Sequence, residues 1–178
     1  MKVTMFTVAL LVSFLSLVSA FVPTTRVSSL NGKTGVAFET VSDIALSVAE
    51  CVTFFGNQAI AEKGSFSLCI PGGSIVKACG AISKDALDWS KVHIFFANEG
   101  LNDFKCYNGA MESFVGKVGI PENQVYKVGE GEPQQAAEAY AKLIMSSAPV
   151  VTKGKNLMKP IPSFDLILFG TGEDGTSM

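Results

Sequence analysis

Apolar residues divide most of this chain into alternating helices and strands. From Val41 to Phe55 they recur every three or four positions, as on one helix face, and this spacing predicts a long helix that ends near Lys63. Polar and apolar residues alternate over residues 65–70, which predicts a strand. Residues 71–74 then break the pattern before a second helix. This part of the chain is therefore predicted to form a helix, a strand, a turn and a helix.

The same alternation continues through the second half of the chain. A nearly continuous apolar run over residues 91–97 predicts a strand that is covered on both faces. We predict that it is followed by a helix over 109–117, a short strand over 124–128 and a helix over 133–146. A linker over 153–162 and a buried strand over 164–169 complete the order. The core face of the helix over 133–146 is predicted to consist of Ala136, Ala137, Tyr140, Leu143 and Ile144. Strands that alternate with helices indicate an α/β fold, namely a three-layer, mostly parallel, Rossmann-like sheet with helices on both faces.

The N-terminal 38 residues are typical of a targeting leader. Residues 1–20 combine a charged start, an apolar stretch over 8–18 and a Ser19-Ala20 end, as a cleavable secretory signal does. The apolar stretch is interrupted by serines and is shorter than the ~20 residues of a membrane span. Residues 21–38 begin with Phe21, are rich in hydroxyl groups and lack acidic residues, as transit peptides do. The pair resembles the two-part leader of complex plastids, with plain secretion as the alternative.

Composition limits the classes of partner. Hydrophobic residues make up 48% and charged residues 17%, and the length of 178 residues suits one folded domain, which we place at 39–178. There are 14 basic against 16 acidic residues and no basic run, so the chain lacks the charge pattern of a nucleic-acid-binding protein. We expect a small neutral or anionic ligand and no membrane contact after removal of the leader. The sequence contains no signal for an oligomeric state.

Four cysteines are expected to be structural. Cys51, Cys69, Cys79 and Cys106 are separated by 18, 10 and 27 residues, which matches no zinc or redox motif. Cys51 and Cys69 fall on apolar faces, as buried free thiols often do. We therefore predict free cysteines, with a secreted disulfide set as the alternative, and no metal site.

Three predicted strands end in turns that are suited to ligands. Gly72-Gly73-Ser74 precedes a helix, so that backbone N–H groups and the Ser74 hydroxyl could meet an anion. Asn98-Glu99 offers an amide and a carboxylate for sugar hydroxyl groups or a proton. Asp174 lies between Gly172 and Gly175, which permit close backbone approach. Each turn alone is more often a plain surface loop than a site, but parallel strands would bring all three to one edge.

The order and spacing of these turns resemble the 6-phosphogluconolactonase family, within the wider group of glucosamine-6-phosphate isomerases and deaminases. The likeness covers about residues 45–175. Residues 65–74 look like the family's strand and phosphate loop, with Pro71 where a Ser is usual, and residues 89–100 look like its strand and Asp-Glu-Arg turn, of which only Glu99 is retained. Asn108 matches a family Asn, and residues 164–175 resemble the last strongly marked motif.

The resemblance implies hydrolysis of 6-phospho-D-glucono-1,5-lactone to 6-phosphogluconate in the oxidative pentose phosphate pathway, with no metal and no cofactor. It implies Glu99 and Asp174 as catalytic residues. It implies substrate contacts from Gly72, Gly73, Ser74, Asn98, Asn108, Gly170, Gly172 and Gly175. We expect the domain to be incomplete at its C terminus, because family members continue past this motif.

One residue of the family pattern is missing. The family motif continues as Asp-Gly-His, with the His as general base, whereas Thr176 stands near that position here. A Thr hydroxyl does not titrate near neutral pH and cannot serve as that base. His93 is five residues before Asn98, roughly 16 Å back along its strand at ~3.3 Å per residue, and is expected to be a core residue. A non-catalytic sugar-phosphate-binding protein and a glucosamine-6-phosphate deaminase-like enzyme remain the alternatives.

Overall fold

The structure, a computed structural model, describes residues 26–30, 33–37, 41–153 and 161–170. Its strands are β1 (Arg26–Leu30), β2 (Lys33–Ala37), β3 (Phe66–Ile70), β4 (Val92–Phe96), β5 (Val125–Tyr126), β6 (Val151–Lys153), β7 (Ile161–Ser163) and β8 (Leu166–Ile167). Its α-helices are α1 (Val41–Lys63), α2 (Ser74–Cys79), α3 (Lys105–Ala110), α4 (Gly116–Val118) and α5 (Pro133–Ser146). A π-helical turn, Met111–Val115, joins α3 to α4. Short 3₁₀ turns precede β4 and β5.

The central sheet has four parallel strands in the order β5-β4-β3-β8. From β3 the chain adds β4 and then β5 on one side, and it afterwards returns to place β8 on the other side of β3. The strand order therefore reverses between β3 and β8. Such a reversal opens a crevice outside the carboxyl ends of the two strands, where α/β sheets bind ligands.

The sheet is covered on both of its faces, because successive side chains in a strand point to opposite sides. Phe66, Leu68 and Ile70 of β3 belong to the main core with residues of α1, α2 and the helix that follows β4. Cys69 and Phe95 point the other way and pack with Ile144 of α5. The predicted three-layer α/β fold is confirmed.

A polar cluster ties β8 to β3 near their amino ends. The Asp165 Oδ2 atom accepts hydrogen bonds of 2.7 Å from both the backbone N–H and the hydroxyl of Ser67, which is fully buried. The Lys63 ammonium lies 2.9 Å from the same oxygen and also donates to the Pro149 carbonyl. The end of α1 thereby contributes to the placement of β8.

Two helices were predicted with accurate bounds. The structure has α5 over Pro133–Ser146 and α1 over Val41–Lys63, as their apolar spacing indicated. Within α5, however, Ala137 and Leu143 are exposed although both were predicted to face the core. By length and composition alone α1 could cross a membrane, but it packs Val52 and Ala59 into the core beside the sheet.

Four predicted elements differ from the structure. The short strand predicted over 124–128 is reduced to β5, Val125–Tyr126. The helix predicted over 109–117 begins at Lys105, because a carboxylate from the preceding turn binds its first N–H groups. The two ends of the predicted linker pair as an antiparallel hairpin of β6 and β7. The predicted strand over 164–169 is reduced to β8, and Phe169 beyond it is 62% exposed. The hairpin of β1 and β2 lies within the predicted transit segment and was not anticipated.

Candidate active site

The ends of β3, β4 and β8 lie side by side at the carboxyl edge of the sheet. The Ala97 N–H donates to the Ile70 carbonyl at 2.8 Å, which joins the turn after β4 to the end of β3. The Leu168 N–H donates to the Cys69 carbonyl at 3.0 Å and joins β8 to β3 from the other side. The turns after β3 and β4 thus lie together at one edge, with the glycine turn after β3 in the middle. That the turn with Asp174 joins them stays a prediction, because residues 171–178 lie outside the described residues.

Two different constraints shape this glycine turn. Gly73 has φ 75° and ψ −138°, a conformation that L side chains rarely adopt. A Cβ atom on Gly72 would lie 2.6 Å from the Cys106 Sγ atom, so a side chain there would collide with the core. Ser74 is exposed and begins α2, which has only six residues. Glycine is therefore required at Gly73 by the backbone and at Gly72 by the contact with Cys106.

Glu99 holds the next helix in place through its carboxylate. Its Oε1 atom accepts hydrogen bonds from the N–H groups of Gly100 and Cys106, both at 2.9 Å, and its Oε2 atom accepts one from Tyr107 at 2.8 Å. These N–H groups include the unpaired donors at the start of α3. Three of the roughly four acceptor positions of a carboxylate are thus occupied, which leaves Glu99 about one for a ligand.

A cavity of about 450 Å³ opens beside this carboxylate. Glu99 and the exposed Asn98 line its wall. The rest of the wall comes from β4, from the loops after β4 and β5 and from α5, namely Phe96, Ala97, Leu101, Asn102, Val128, Pro133, Ala136, Ala137 and Tyr140. The cavity lies towards α5, on the β4 side of the glycine turn. Asn98 and Glu99 form the turn after β4 and also line the cavity. We therefore regard the turns and the cavity as one candidate site.

Tyr140 completes the end of β4 where the sheet stops. The pairing of β4 with β5 ends at Phe95 and Tyr126. The Tyr140 hydroxyl then accepts the Phe96 N–H at 2.7 Å and donates to the Phe96 carbonyl at 3.3 Å. Burial raises the pKa of Tyr140 well above its ordinary value, so the hydroxyl stays protonated at neutral pH. Sequence reasoning placed Tyr140 only in the core and missed this role.

Cys106 joins two of the predicted turns and was also missed as a site residue. Its Sγ atom closes the space beside Gly72, and its N–H binds Glu99. Burial, reinforced by the Glu99 carboxylate, raises the pKa of this thiol to about 11. The four cysteines are free, as predicted. A Cys in a helix after a polar turn gives no sequence signal for this contact, because the contact depends on how the loops meet.

Among the described residues that were predicted for the site, Asn98 and Glu99 line the cavity, whereas Gly72, Gly73, Ser74, Asn108 and Gly170 lie outside its wall. Asn108 is exposed, and its side-chain amide donates to the Asp103 carbonyl at 2.9 Å. His93 is half-buried on β4, and its Nδ1 atom lies 3.1 Å from the Tyr126 hydroxyl. Burial, followed by the charge of Lys63, lowers the pKa of His93. Its place away from the carboxyl edge agrees with the expectation that His93 is a structural residue.

Comparison with known proteins identifies the family. The family model described as glucosamine-6-phosphate isomerases/6-phosphogluconolactonase matches residues 39–176. The chain belongs to this family. The match includes every predicted site residue, although Gly172, Asp174, Gly175 and Thr176 lie outside the described residues. Gly170 is described and is half-buried just beyond β8.

Curated members of the glucosamine-6-phosphate isomerase/6-phosphogluconolactonase family match most of the chain. A probable 6-phosphogluconolactonase 1 from Oryza sativa subsp. japonica is 31% identical over 147 residues, which are 78% of this chain and 50% of that protein. The chloroplastic 6-phosphogluconolactonase 3 from Arabidopsis thaliana is 26% identical over 161 residues, or 85% of this chain and 50% of that protein. The chain therefore spans about half the length of the curated relatives that it matches.

Solved structures confirm the fold. The 6-phosphogluconolactonase from Trypanosoma cruzi superimposes with a TM-score of 0.65 at 18% identity and covers 79% of this chain and 59% of that one. The 6-phosphogluconolactonase from Thermotoga maritima gives a TM-score of 0.61 at 22% identity, with coverage of 75% and 58%. The α/β sheet of this family member is thus the sheet found in solved lactonases.

Proposed function

We propose that this chain carries the sugar-phosphate site of a 6-phosphogluconolactonase, which hydrolyses 6-phospho-D-glucono-1,5-lactone to 6-phosphogluconate. The observation that carries the proposal is the meeting of the glycine turn, the Asn98-Glu99 turn and the end of β8 at one carboxyl edge. The curated relatives above are named for this activity. Product and substrate place this reaction in the oxidative pentose phosphate pathway.

The reaction is a simple ester hydrolysis. A water oxygen attacks the C1 carbonyl carbon, the bond from C1 to the ring oxygen breaks, and the ring oxygen takes a proton as the carboxylic acid forms and ionises. The site must hold the phosphate, stabilise the negative oxygen and remove a proton from water. We assign anion contacts to the backbone of Gly72 and Gly73 with Ser74, and hydroxyl contacts to the Asn98 amide in the cavity wall.

Glu99 and Asp174 are proposed to orient the reacting groups. Glu99 holds three backbone N–H groups and has about one acceptor position left, so it suits a substrate hydroxyl better than the attacking water. Asp174 and the glycines Gly172 and Gly175 would extend the site from the end of β8. Asn108 would act through its helix, since its amide is bound to Asp103.

Thr176 favours a second candidate function, namely binding of sugar phosphates without turnover. The family pattern leads us to expect a His general base near this position, and a Thr hydroxyl cannot accept the proton of water at neutral pH. We therefore expect the 178-residue chain to bind 6-phosphogluconate and to hydrolyse the lactone slowly or not at all.

The variant Thr176→His tests the lactonase and the missing base together. Lactone hydrolysis by the 178-residue chain is measured against spontaneous hydrolysis, and the substitution should raise turnover by about 10²–10⁴-fold, the usual contribution of a placed general base. Ser177→His is the matched control and should change nothing. Turnover by the unsubstituted chain at an ordinary enzyme rate would contradict the missing-base proposal, as would equal rates for the two His variants.

The family name also includes isomerases that act on an amino sugar phosphate, so a deaminase-like activity needs its own test. The same preparation is incubated with glucosamine 6-phosphate and assayed for ammonia. We expect none above the background. Ammonia release with no lactone hydrolysis by either the chain or its Thr176→His variant would replace the proposed substrate.

We propose plastid import by the two-part leader. Residues 1–20 have the features of a signal peptide, residues 21–38 have those of a transit segment, and several curated relatives are named chloroplastic. A fluorescent protein fused behind residues 1–40 should accumulate in a complex plastid. Accumulation of the fusion in the medium would instead support plain secretion.

A further inference from the structure

Cys106 contacts both of the turns that the candidate site combines. A Cβ atom placed on Gly72 would find its three nearest atoms beyond its chain neighbours in this one residue, with Sγ at 2.6 Å, Cβ at 3.6 Å and Cα at 3.8 Å. The Cys106 N–H donates at 2.9 Å to the Glu99 Oε1 atom. One residue therefore connects the glycine turn after β3 with the carboxylate of the turn after β4.

The position of Cys106 is fixed by its surroundings. The side chain is 7% exposed in the first turn of α3. The Glu99 carboxylate binds the N–H groups of both Cys106 and the next residue, Tyr107. Because protein interiors are close-packed, a shift of this helix start would be passed to the atoms that touch the thiol. The nearest such backbone in the site is that of Gly72.

The glycine turn has few restraints of its own. Among the described residues no side chain caps the start of α2, and the hydrogen bond from the Lys77 N–H to the Gly73 carbonyl is long, at 3.4 Å. Glycine also has the widest choice of backbone conformations. A turn of two glycines therefore depends on packing from outside to keep one conformation, and Cys106 supplies this packing at Gly72.

We propose that Cys106 is a positioning residue, which transmits the position set by Glu99 to the backbone of Gly72 and so fixes the geometry in which the glycine turn meets its ligand. Cys106 itself would touch no substrate atom. The proposal rests on the proposed function for the identity of that ligand, a phosphate ester, whereas the coupling of the two turns belongs to the chain alone. Burial raises the pKa of this thiol to about 11, so it stays neutral and adds no negative charge beside the turn.

The coupling is tested without ligand, by NMR spectroscopy of the ¹⁵N-labelled chain. Glu99→Gln removes acceptor capacity from the carboxylate and should shift the amide resonances of Gly72 and Gly73, although the hydrogen bonds of Glu99 go to other residues. In a Cys106→Ala background the same substitution should leave both resonances unchanged. Cys79→Ala is the matched control background, because Cys79 is also a buried cysteine, and there the shift should persist.

Two results would overturn the coupling. One is the absence of a shift at Gly72 and Gly73 when Glu99→Gln is made in the unsubstituted chain. The other is a shift of equal size in the Cys106→Ala background. Cys106→Ser weakens the contact without opening a full cavity, so it should reduce the shift, and an unreduced shift would count against the proposal even if Cys106→Ala does not fold.

Ligand affinity tests the consequence for the site. In titration calorimetry Cys106→Ala should weaken binding of 6-phosphogluconate by about 2–30-fold, the usual range for coupling through packed side chains. Cys79→Ala removes the same atom from a buried position and should leave the affinity unchanged, whereas a purely structural role would affect both variants alike. Equal affinities of the Cys106→Ala and unsubstituted chains would refute the positioning role. If the unsubstituted chain does not bind 6-phosphogluconate but shows the NMR coupling, the proposed function fails and the coupling stands.

Discussion

The contact between Gly72 and Cys106 gives a quantitative prediction. The φ angle of Gly72 lies outside the left-handed region, so the backbone there accepts an alanine, and the cost of Gly72→Ala is steric. The new Cβ and the Cys106 Sγ would have to separate by 0.8 Å, from 2.6 Å to the 3.4 Å of an ordinary contact. Overpacking of this kind costs about 1–3 kcal/mol.

The measurement is urea unfolding of a set of variants. Gly72→Ala should lower the free energy of unfolding by that amount. For a domain of this size, each kcal/mol lost should also lower Tm by about 2–4 °C. Gly109→Ala is the matched control, because its Cβ would meet the nearest atom of Val76 at an ordinary 3.9 Å. It should be neutral or stabilising, since alanine favours a helix by up to about 1 kcal/mol over glycine.

A double variant decides whether Cys106 is the cause. Cys106→Ala removes the sulfur atom and should itself be destabilising, because it leaves a small cavity in a buried position. In its presence Gly72→Ala should cost little, since the space is free. The two costs should therefore be non-additive by at least about 0.5 kcal/mol, as expected for residues in contact. Additive costs would show that the predicted collision does not occur.

Three further predictions concern buried polar and titratable groups. Tyr140→Phe should destabilise the chain in urea unfolding by about 1–3 kcal/mol, since the Phe96 N–H and carbonyl lose their partner; an unchanged midpoint would contradict this. Burial raises the pKa of Cys79 to about 12, so a thiol reagent at pH 8 should modify it far more slowly in the native than in the unfolded chain. Burial and Lys63 lower the pKa of His93, so protonation favours the unfolded state, and stability should fall as the pH drops below the ordinary His value of about 6.5. His93→Gln should flatten the dependence of stability on pH. An unchanged slope in this variant would show that other groups cause the dependence.

The α/β alternation was predictable because each element has its own period. The 3.6-residue spacing of α1 and the continuous apolar run of β4 depend only on local sequence and on burial. Parallel pairing then follows from the alternation and places the carboxyl ends of β3, β4 and β8 at one edge. The positions of the candidate turns were therefore accessible from sequence.

The contacts within the site were not accessible, because they depend on how distant segments meet. A sequence does not reveal that Glu99 binds the start of α3, or that Cys106 touches Gly72. The cation–π contact of Lys127 with Phe104 joins the ends of two different loops in the same way. The early start of α3 was missed for a similar reason. The residue before this helix, Phe104, adopts a left-handed conformation that its residue type disfavours, so the sequence does not indicate it.

The cluster of Lys63, Asp165 and Ser67 affects how mutational data on this chain should be read. It lies at the amino ends of β3 and β8, yet it holds the strand that leads into the last glycine turn. A screen for loss of the proposed activity would therefore score Lys63 and Asp165 together with residues of the candidate site at the carboxyl edge. A chemist who ranked hits by phenotype alone would place them in the binding site, at the wrong end of the sheet. Ligand affinity measured under strongly stabilising conditions should separate the two groups.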